Sequence, residues 1–134
     1  MTDAAHDNHL TALDMNIVSA TSSEVVLRWT VSSKHLQPHG IVHGGVYCSA
    51  IETACSIGAS LSAAERVPGG SAVGLENHTS FIRAAREGTL TATARPLTRG
   101  RTTQVWECEV KDEQGRVTAS GRVRLLCVTP DQIR

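Results

Sequence analysis

The sequence predicts an α+β domain of about five to six strands, an antiparallel sheet wrapped on one long helix. Three observations carry this. A run of small and apolar residues from Gly45 to about residue 65 has no internal Pro and is stopped by "VPGG", residues 67–70. After it strand signals dominate, with period-two alternation in the later segments. Two short strand signals precede it, and no second helical run competes with it.

Taken in order, residues 1–12 read as an arm, loose or a short helix, and 13–130 as one domain. "MNIVSATSSEVVLRWTV" gives two strands around the turn "TSSE". "SSKHLQPHGIVHGG" is a loop punctuated by Pro38, Gly40, Gly44 and Gly45, and the helix follows. "SAVGLENHTSFIRA" is the next strand. "GTLTATARPL" sets Leu90, Ala92 and Ala94 against threonines. "TTQVWECEVKD" alternates Val105 and Val110 with Gln and Glu before the turn "DEQG". "RVTASGRVRLLCV" places Val117, Ala119, Gly121, Val123, Leu125 and Cys127 on one face. Aromatic residues are only 3%, so Val, Leu, Ile and Ala must fill the core.

Composition narrows the function classes. Lys plus Arg and Asp plus Glu are 13 each, so no basic excess points to nucleic acid. No apolar run approaches the ~20 residues that span a bilayer, and the N-terminus has no apolar leader core; a cytoplasmic protein is expected. Cys48 and Cys55, seven apart on a helix, lie about 10 Å apart along its axis, too far for a disulfide. With no Cys-x-x-Cys and no Cys-His pair at ligand spacing, the four cysteines are expected to be reduced and to pack as small apolar groups. His39 and His43 have a metal-like spacing, but no third ligand is evident, so no metal is expected.

The helix carries the chemistry. At 100° per residue, Val46, Ala50, Ala54, Ile57 and Leu61 cluster on the side expected to face the sheet. Opposite lie Cys48, Ser49, Glu52, Cys55, Ser56 and Ala59. Apart from Glu52 these are small, a face that another helix or a ligand can approach closely. Glu52 is the only formally charged residue between Lys34 and Glu65. A carboxylate in such a seam is costly unless it is paired, hydrogen-bonded or reaches solvent. Just before the helix, Gly44 and Gly45 expose backbone N–H groups at a helix N-terminus, where orphan donors and the helix dipole favour negative charge. Aimed at a carbonyl oxygen, they form an oxyanion hole. Gly44 and Glu52 are about 12 Å apart along one axis, too far to serve one carbonyl together. Two antiparallel copies could bring Gly44 of one to Glu52 of the other, which predicts a homodimer with shared sites.

With "HGGVYCSAIET", an acid nine residues after His43, the chain resembles the hotdog-fold acyl-CoA thioesterases of the PaaI type. It is most similar to the 4-hydroxybenzoyl-CoA thioesterase branch with Glu on the helix. "TSFIRAA" and "LTRGRTTQVWECEV" extend the likeness over nearly the whole chain. The resemblance implies a curved sheet around the central helix, and a dimer with a continuous sheet that pairs into a tetramer. It implies hydrolysis of an aryl or short-to-medium acyl-CoA, with CoA as part of the substrate and no cofactor. It makes Glu52 the general base or nucleophile, Gly44 the oxyanion donor, and His43 the residue that orients the loop near the leaving thiol. Gln37 would position water or the acyl group, and Ser56 would supply a hydroxyl one turn after the acid. Where some members carry a supporting serine, this chain has Gly74. The resemblance points to Arg83, Arg99 and Arg101, with Thr102 and Thr103, as ligands of CoA phosphates; the same arginines could equally be solvated turn residues. His78 could line the pocket or simply face solvent. Two other readings remain open: a non-catalytic acyl-CoA sensor, and a hotdog hydratase or dehydratase. Retention of the acid with its donors argues against the first. The "HGG" motif is foreign to the second.

Overall fold

The computed structural model describes residues 7–132. It contains a short helix α1 (His9–Ala12) and strands β1 (Asn16–Ala20) and β2 (Val25–Thr30). The long helix α2 (Gly44–Arg66) follows, then β3 (Ser71–Phe81), β4 (Thr89–Arg99), β5 (Thr103–Lys111) and β6 (Val117–Val128). The strands form one antiparallel sheet in the order β1-β2-β4-β5-β6-β3. Helix α2 packs across β2 to β6. This is the hotdog architecture. Residues 1–6 of the expected arm lie outside the described residues. Residues 9–12 take the short-helix alternative.

Period-two alternation places Val25, Leu27 and Trp29 of β2 and Leu90, Ala92 and Ala94 of β4 in the core, fully or almost fully buried. Pro96 is tolerated inside β4 because β2 pairs only as far as Ala94, so its missing N–H breaks no ladder bond to β2.

Two faces depart from expectation, for one reason. On β5 the inward residues are Gln104, Trp106, Cys108 and Val110, while Val105 is only half-buried. On α2 the buried arc includes Tyr47, Ile51, Cys55, Gly58, Ala59 and Ser62; Ile57 is half-buried and Leu61 exposed. The Trp106 indole sets this rotation. A Cβ on Gly58 would come within 2.4 Å of its ring, so the indole packs directly on the helix backbone. Only small residues fit the surface of closest approach, and the bulkier Ile57 and Leu61 turn away. Gln104 is buried without cost because both ends are satisfied. Its Oε1 accepts from Trp106 Nε1 at 2.8 Å, and its Nε2 donates to the Ala59 carbonyl at 3.1 Å.

The N-terminal segment is fastened by a residue that spacing does not reveal. His35 is fully buried; its Nδ1 accepts the Ser32 N–H at 3.0 Å, so Nε2 carries the proton and donates to the Leu13 carbonyl at 2.7 Å. Leu10 and Leu13 pack against the core, and Lys34 pairs with Asp14. At the other edge, β3 is eleven residues long and exposes Val73, Leu75 and Phe81, with Ile82 just beyond it. Such an edge is an open template for another strand.

Candidate active site

The start of α2 is built around His43, the N-cap. Its backbone is extended (φ −64°, ψ 135°), and its Nδ1 accepts the Gly45 N–H at 2.7 Å. That acceptor role puts the ring proton on Nε2. The His43 carbonyl takes the Val46 N–H at 2.9 Å. The Gly44 N–H makes no hydrogen bond among the described residues, so this helix end keeps an unspent donor where the dipole is positive. A Cβ on Gly44 would lie 2.6 Å from Cζ of Phe81, whose exposed ring roofs the helix start and would have to swing aside. The preceding loop is tied to itself. Gln37 donates its N–H to the Ile41 carbonyl and accepts from Gly40 N, both at 2.8 Å, and its side-chain oxygen accepts from His39 N. Arg86, which the sequence did not single out, braces the loop through the His39 and Gly40 carbonyls at 3.2 and 3.3 Å.

Glu52 stands two turns on. The expected crowding is absent in the single chain, where Glu52 is exposed. Gly74, beside the β3 bulge, faces it; a Cβ on Gly74 would be 3.3 Å from Oε2. The site where the resemblance expects a supporting serine therefore does face the carboxylate, but bears no hydroxyl. Glu52 and Ser56 share an open pocket of about 430 Å³ with His9, Cys48, Ser49, Thr53 and Ile57. His9 Nε2 lies 2.7 Å from Ser49 Oγ. His9, forty residues away along the chain, gave no sequence signal, since only the docking of α1 brings it here. Gln37, His43 and Gly44 do not line this pocket. A larger cleft, about 580 Å³, lies between residues 84–88 and the turn at 112–116, away from Glu52.

The expected phosphate ligands divide. Arg99, Arg101, Thr102 and Thr103 gather at the β4–β5 turn, next to the end of β6. Arg66, in the last turn of α2, joins them, donating to the Arg99 carbonyl at 2.7 Å and sharing a small cleft with Arg101. Arg99 itself is committed to the Ser22 carbonyl at 2.9 Å, whereas the Arg101 side chain makes no hydrogen bond among the described residues. Arg83 is not with them. Its N–H donates to Thr118 at the opposite end of the sheet, near the helix start. His78 is exposed on β3. Cys55 and Cys108 are buried side by side; the Cys108 thiol and burial push the Cys55 thiol far above its ordinary range, so it holds no thiolate.

A long helix wrapped by this sheet, opening on His-Gly-Gly and carrying Glu52 two turns in, defines a class. The chain belongs to the Thioesterase superfamily, whose profile matches residues 39–119. By class it is therefore an acyl-CoA thioesterase, a thioester hydrolase. It is 34% identical to a 1,4-dihydroxy-2-naphthoyl-CoA hydrolase of Listeria monocytogenes, over 87% of this chain and 86% of that protein. Among solved structures, a thioesterase of Haemophilus influenzae superposes with a TM-score of 0.87 at 27% identity, covering 95% of this chain and 87% of that one. The Escherichia coli PaaI protein from the phenylacetic acid degradation operon superposes with a TM-score of 0.81 at 27% identity, covering 92% and 86%. No helix among the described residues is long and apolar enough to cross a membrane.

Proposed function

We propose that the protein hydrolyses an aryl or short-to-medium acyl-CoA in a site assembled from two copies of the chain, with no cofactor. The observation that carries this is the unspent Gly44 N–H at one point of α2 and the exposed Glu52 carboxylate at another. They are eight residues, about 12 Å, apart along one axis. Gly44 of one copy holds the thioester oxygen. Glu52 of the other takes a proton from water as the water oxygen bonds to the carbonyl carbon. The carbon–sulfur bond then breaks, and the CoA thiolate takes up the proton. Direct attack by Glu52, through an anhydride that water then opens, balances equally well. Oxygen-18 from solvent water found in Glu52 after a single turnover would mark that route. Gln37 and His43 act on the Gly44 side, and Ser56 on the Glu52 side. Arg101, with Arg66 and the Thr102–Thr103 turn, meets CoA phosphates. The exposed β3 edge supports pairing with β3 of a second copy, and such dimers would pair again into a tetramer. The hydroxynaphthoyl ester in the name of the Listeria relative favours an aryl acyl group.

The test is free-thiol release from a panel of aryl- and alkyl-CoA esters. Wild type should turn over at least one ester, and Glu52→Ala should lower kcat by ~10²-fold or more. Tight binding of every ester without turnover would replace this reading with the sensor.

A further inference from the structure

We infer that Asn77 is a positioning residue: from β3 it fastens the helical turn that carries Glu52, and so sets where the carboxylate stands in the shared site. The inference rests on the thioesterase reading and deepens it.

The Glu52 carboxylate is not held at its tip. It accepts no hydrogen bond and meets no cation among the described residues, so its place follows from the backbone beneath it. Side chains fasten that backbone to β3 at two points. Toward the C-terminal end of α2, Ser60 Oγ accepts the Ala72 N–H at 3.0 Å. On the other side of Glu52, Asn77 Nδ2 donates to the Cys48 carbonyl at 3.0 Å. In an α-helix that same carbonyl accepts the N–H of residue 52, and its second lone pair is open to the amide. Glu52 thus stands about one turn from the Asn77 fastener and about two from Ser60.

The strand is shaped to present Asn77. The β3–β6 register shifts between Gly74 and Glu76. Simple alternation from Gly74 would put Glu76, His78 and Ser80 on the helix side. The shift brings Asn77, Thr79 and Phe81 there instead, opposite the buried Val123, Gly121 and Ala119 of β6. Thr79 Oγ1 donates to Asn77 Oδ1 at 2.6 Å, which turns the amide so that its N–H end meets the helix. Gly121 leaves room for that hydroxyl; a Cβ there would come within 2.5 Å of it. The one strand therefore meets α2 at three heights: Gly74 at Glu52, Asn77 at Cys48 and Phe81 at Gly44. In the dimer proposed above, the edge of this strand also pairs with the second copy. Slippage of α2 on β3 would then move Glu52 of one copy relative to Gly44 of the other. A misplacement of about 1 Å in a catalytic group can cost ~10²-fold in rate.

The test measures kcat and KM for benzoyl-CoA and hexanoyl-CoA in wild type, Asn77→Asp and Thr79→Val, and in each change combined with Glu52→Ala. Asn77→Asp keeps the size and the oxygen that faces Thr79, but sets an acceptor against the Cys48 carbonyl. It should lower kcat by about 10- to 100-fold and change KM by less than about twofold. Thr79→Val, which frees the amide to turn, should lower kcat by about threefold, and it decides the matter if Asn77→Asp does not fold. Combined with Glu52→Ala, neither change should alter the residual kcat by more than about twofold, because the group they place is gone. A general loss of structure would lower the residual rate as well. A kcat unchanged in every variant that folds, or a loss repeated in full in the Glu52→Ala background, overturns the inference and leaves the thioesterase reading intact. Failure of wild type to hydrolyse either ester overturns both.

Discussion

The two chemically distinctive regions of α2 are built on opposite plans. At its start, polar groups are fixed and crowded: the His43 ring is committed to Gly45, Gln37 is folded into its own loop, and the Phe81 ring sits where a Cβ on Gly44 would go. Among the described residues the Gly44 N–H has no partner there. Two turns later, Glu52 is open to solvent, in a broad pocket of mostly small side chains with His9 and Ile57 at its wall, backed by a glycine. A rigid donor suits oxyanion stabilisation, which depends on dipoles that do not reorganise. An open acid suits a group whose surroundings are completed by something else. In the proposed mechanism neither half is a catalytic site by itself, because about 12 Å of helix separates them within one chain.

That contrast can be broken at either end. The largest effect is expected at the rigid end. Gly44→Pro deletes the free N–H at a first-turn position where proline is tolerated, and the extended backbone of His43 accepts a following proline. Combined with Phe81→Ala to make room, it should lower kcat by ~10²- to 10³-fold. Gly44→Ala with Phe81→Ala keeps the N–H and should lose far less. Equal losses in steady-state kinetics would show that space, and not the donor, matters. A smaller effect is expected from the cap. His43→Ala should cost about 1 kcal/mol in denaturant unfolding, and His43→Asn, which can still cap, less than half of that. Equal costs would mean that the bond to Gly45 contributes nothing. The smallest effect tests the fastening of the N-terminal segment. The hydrogen bond and charge of Lys34 hold the Asp14 carboxyl below its usual range. In Lys34→Ala, its titration followed by NMR should move up toward an ordinary carboxylate. The sign follows: the pair contributes above the unfolded-state pKa and fades as pH falls through the lowered folded value.

Much of this could be read from the chain, because turns and alternation are local. "TSSE", "DEQG" and "VPGG" mark the ends of elements, the faces of β4 and of the middle of β6 (Ala119 to Leu125) follow from period two, and "HGG" marks where α2 starts; at the ends of β6 the pattern slips, with Thr118 buried and Val117 and Cys127 half-buried. What escaped was set by contacts distant in sequence. The rotation of α2 depends on Trp106 seating on Gly58, which turns Ile57 and Leu61 off the core face. Gln104 is buried because its two partners lie on β5 and α2. His35 looks like a loop histidine until Leu13 is placed beside it. The open setting of Glu52 was missed because the small-residue seam implies a neighbour that a single chain does not supply.

The central claim, one site from two copies, is tested most directly by complementation. Glu52→Ala and the Gly44→Pro/Phe81→Ala variant, each inactive alone, are unfolded together, refolded and assayed for thiol release. Random pairing places one intact site in each mixed dimer, so about a quarter of wild-type activity should return. Activity no higher than that of either parent, in a mixture shown to contain mixed dimers, would contradict the account and return both groups to a single chain.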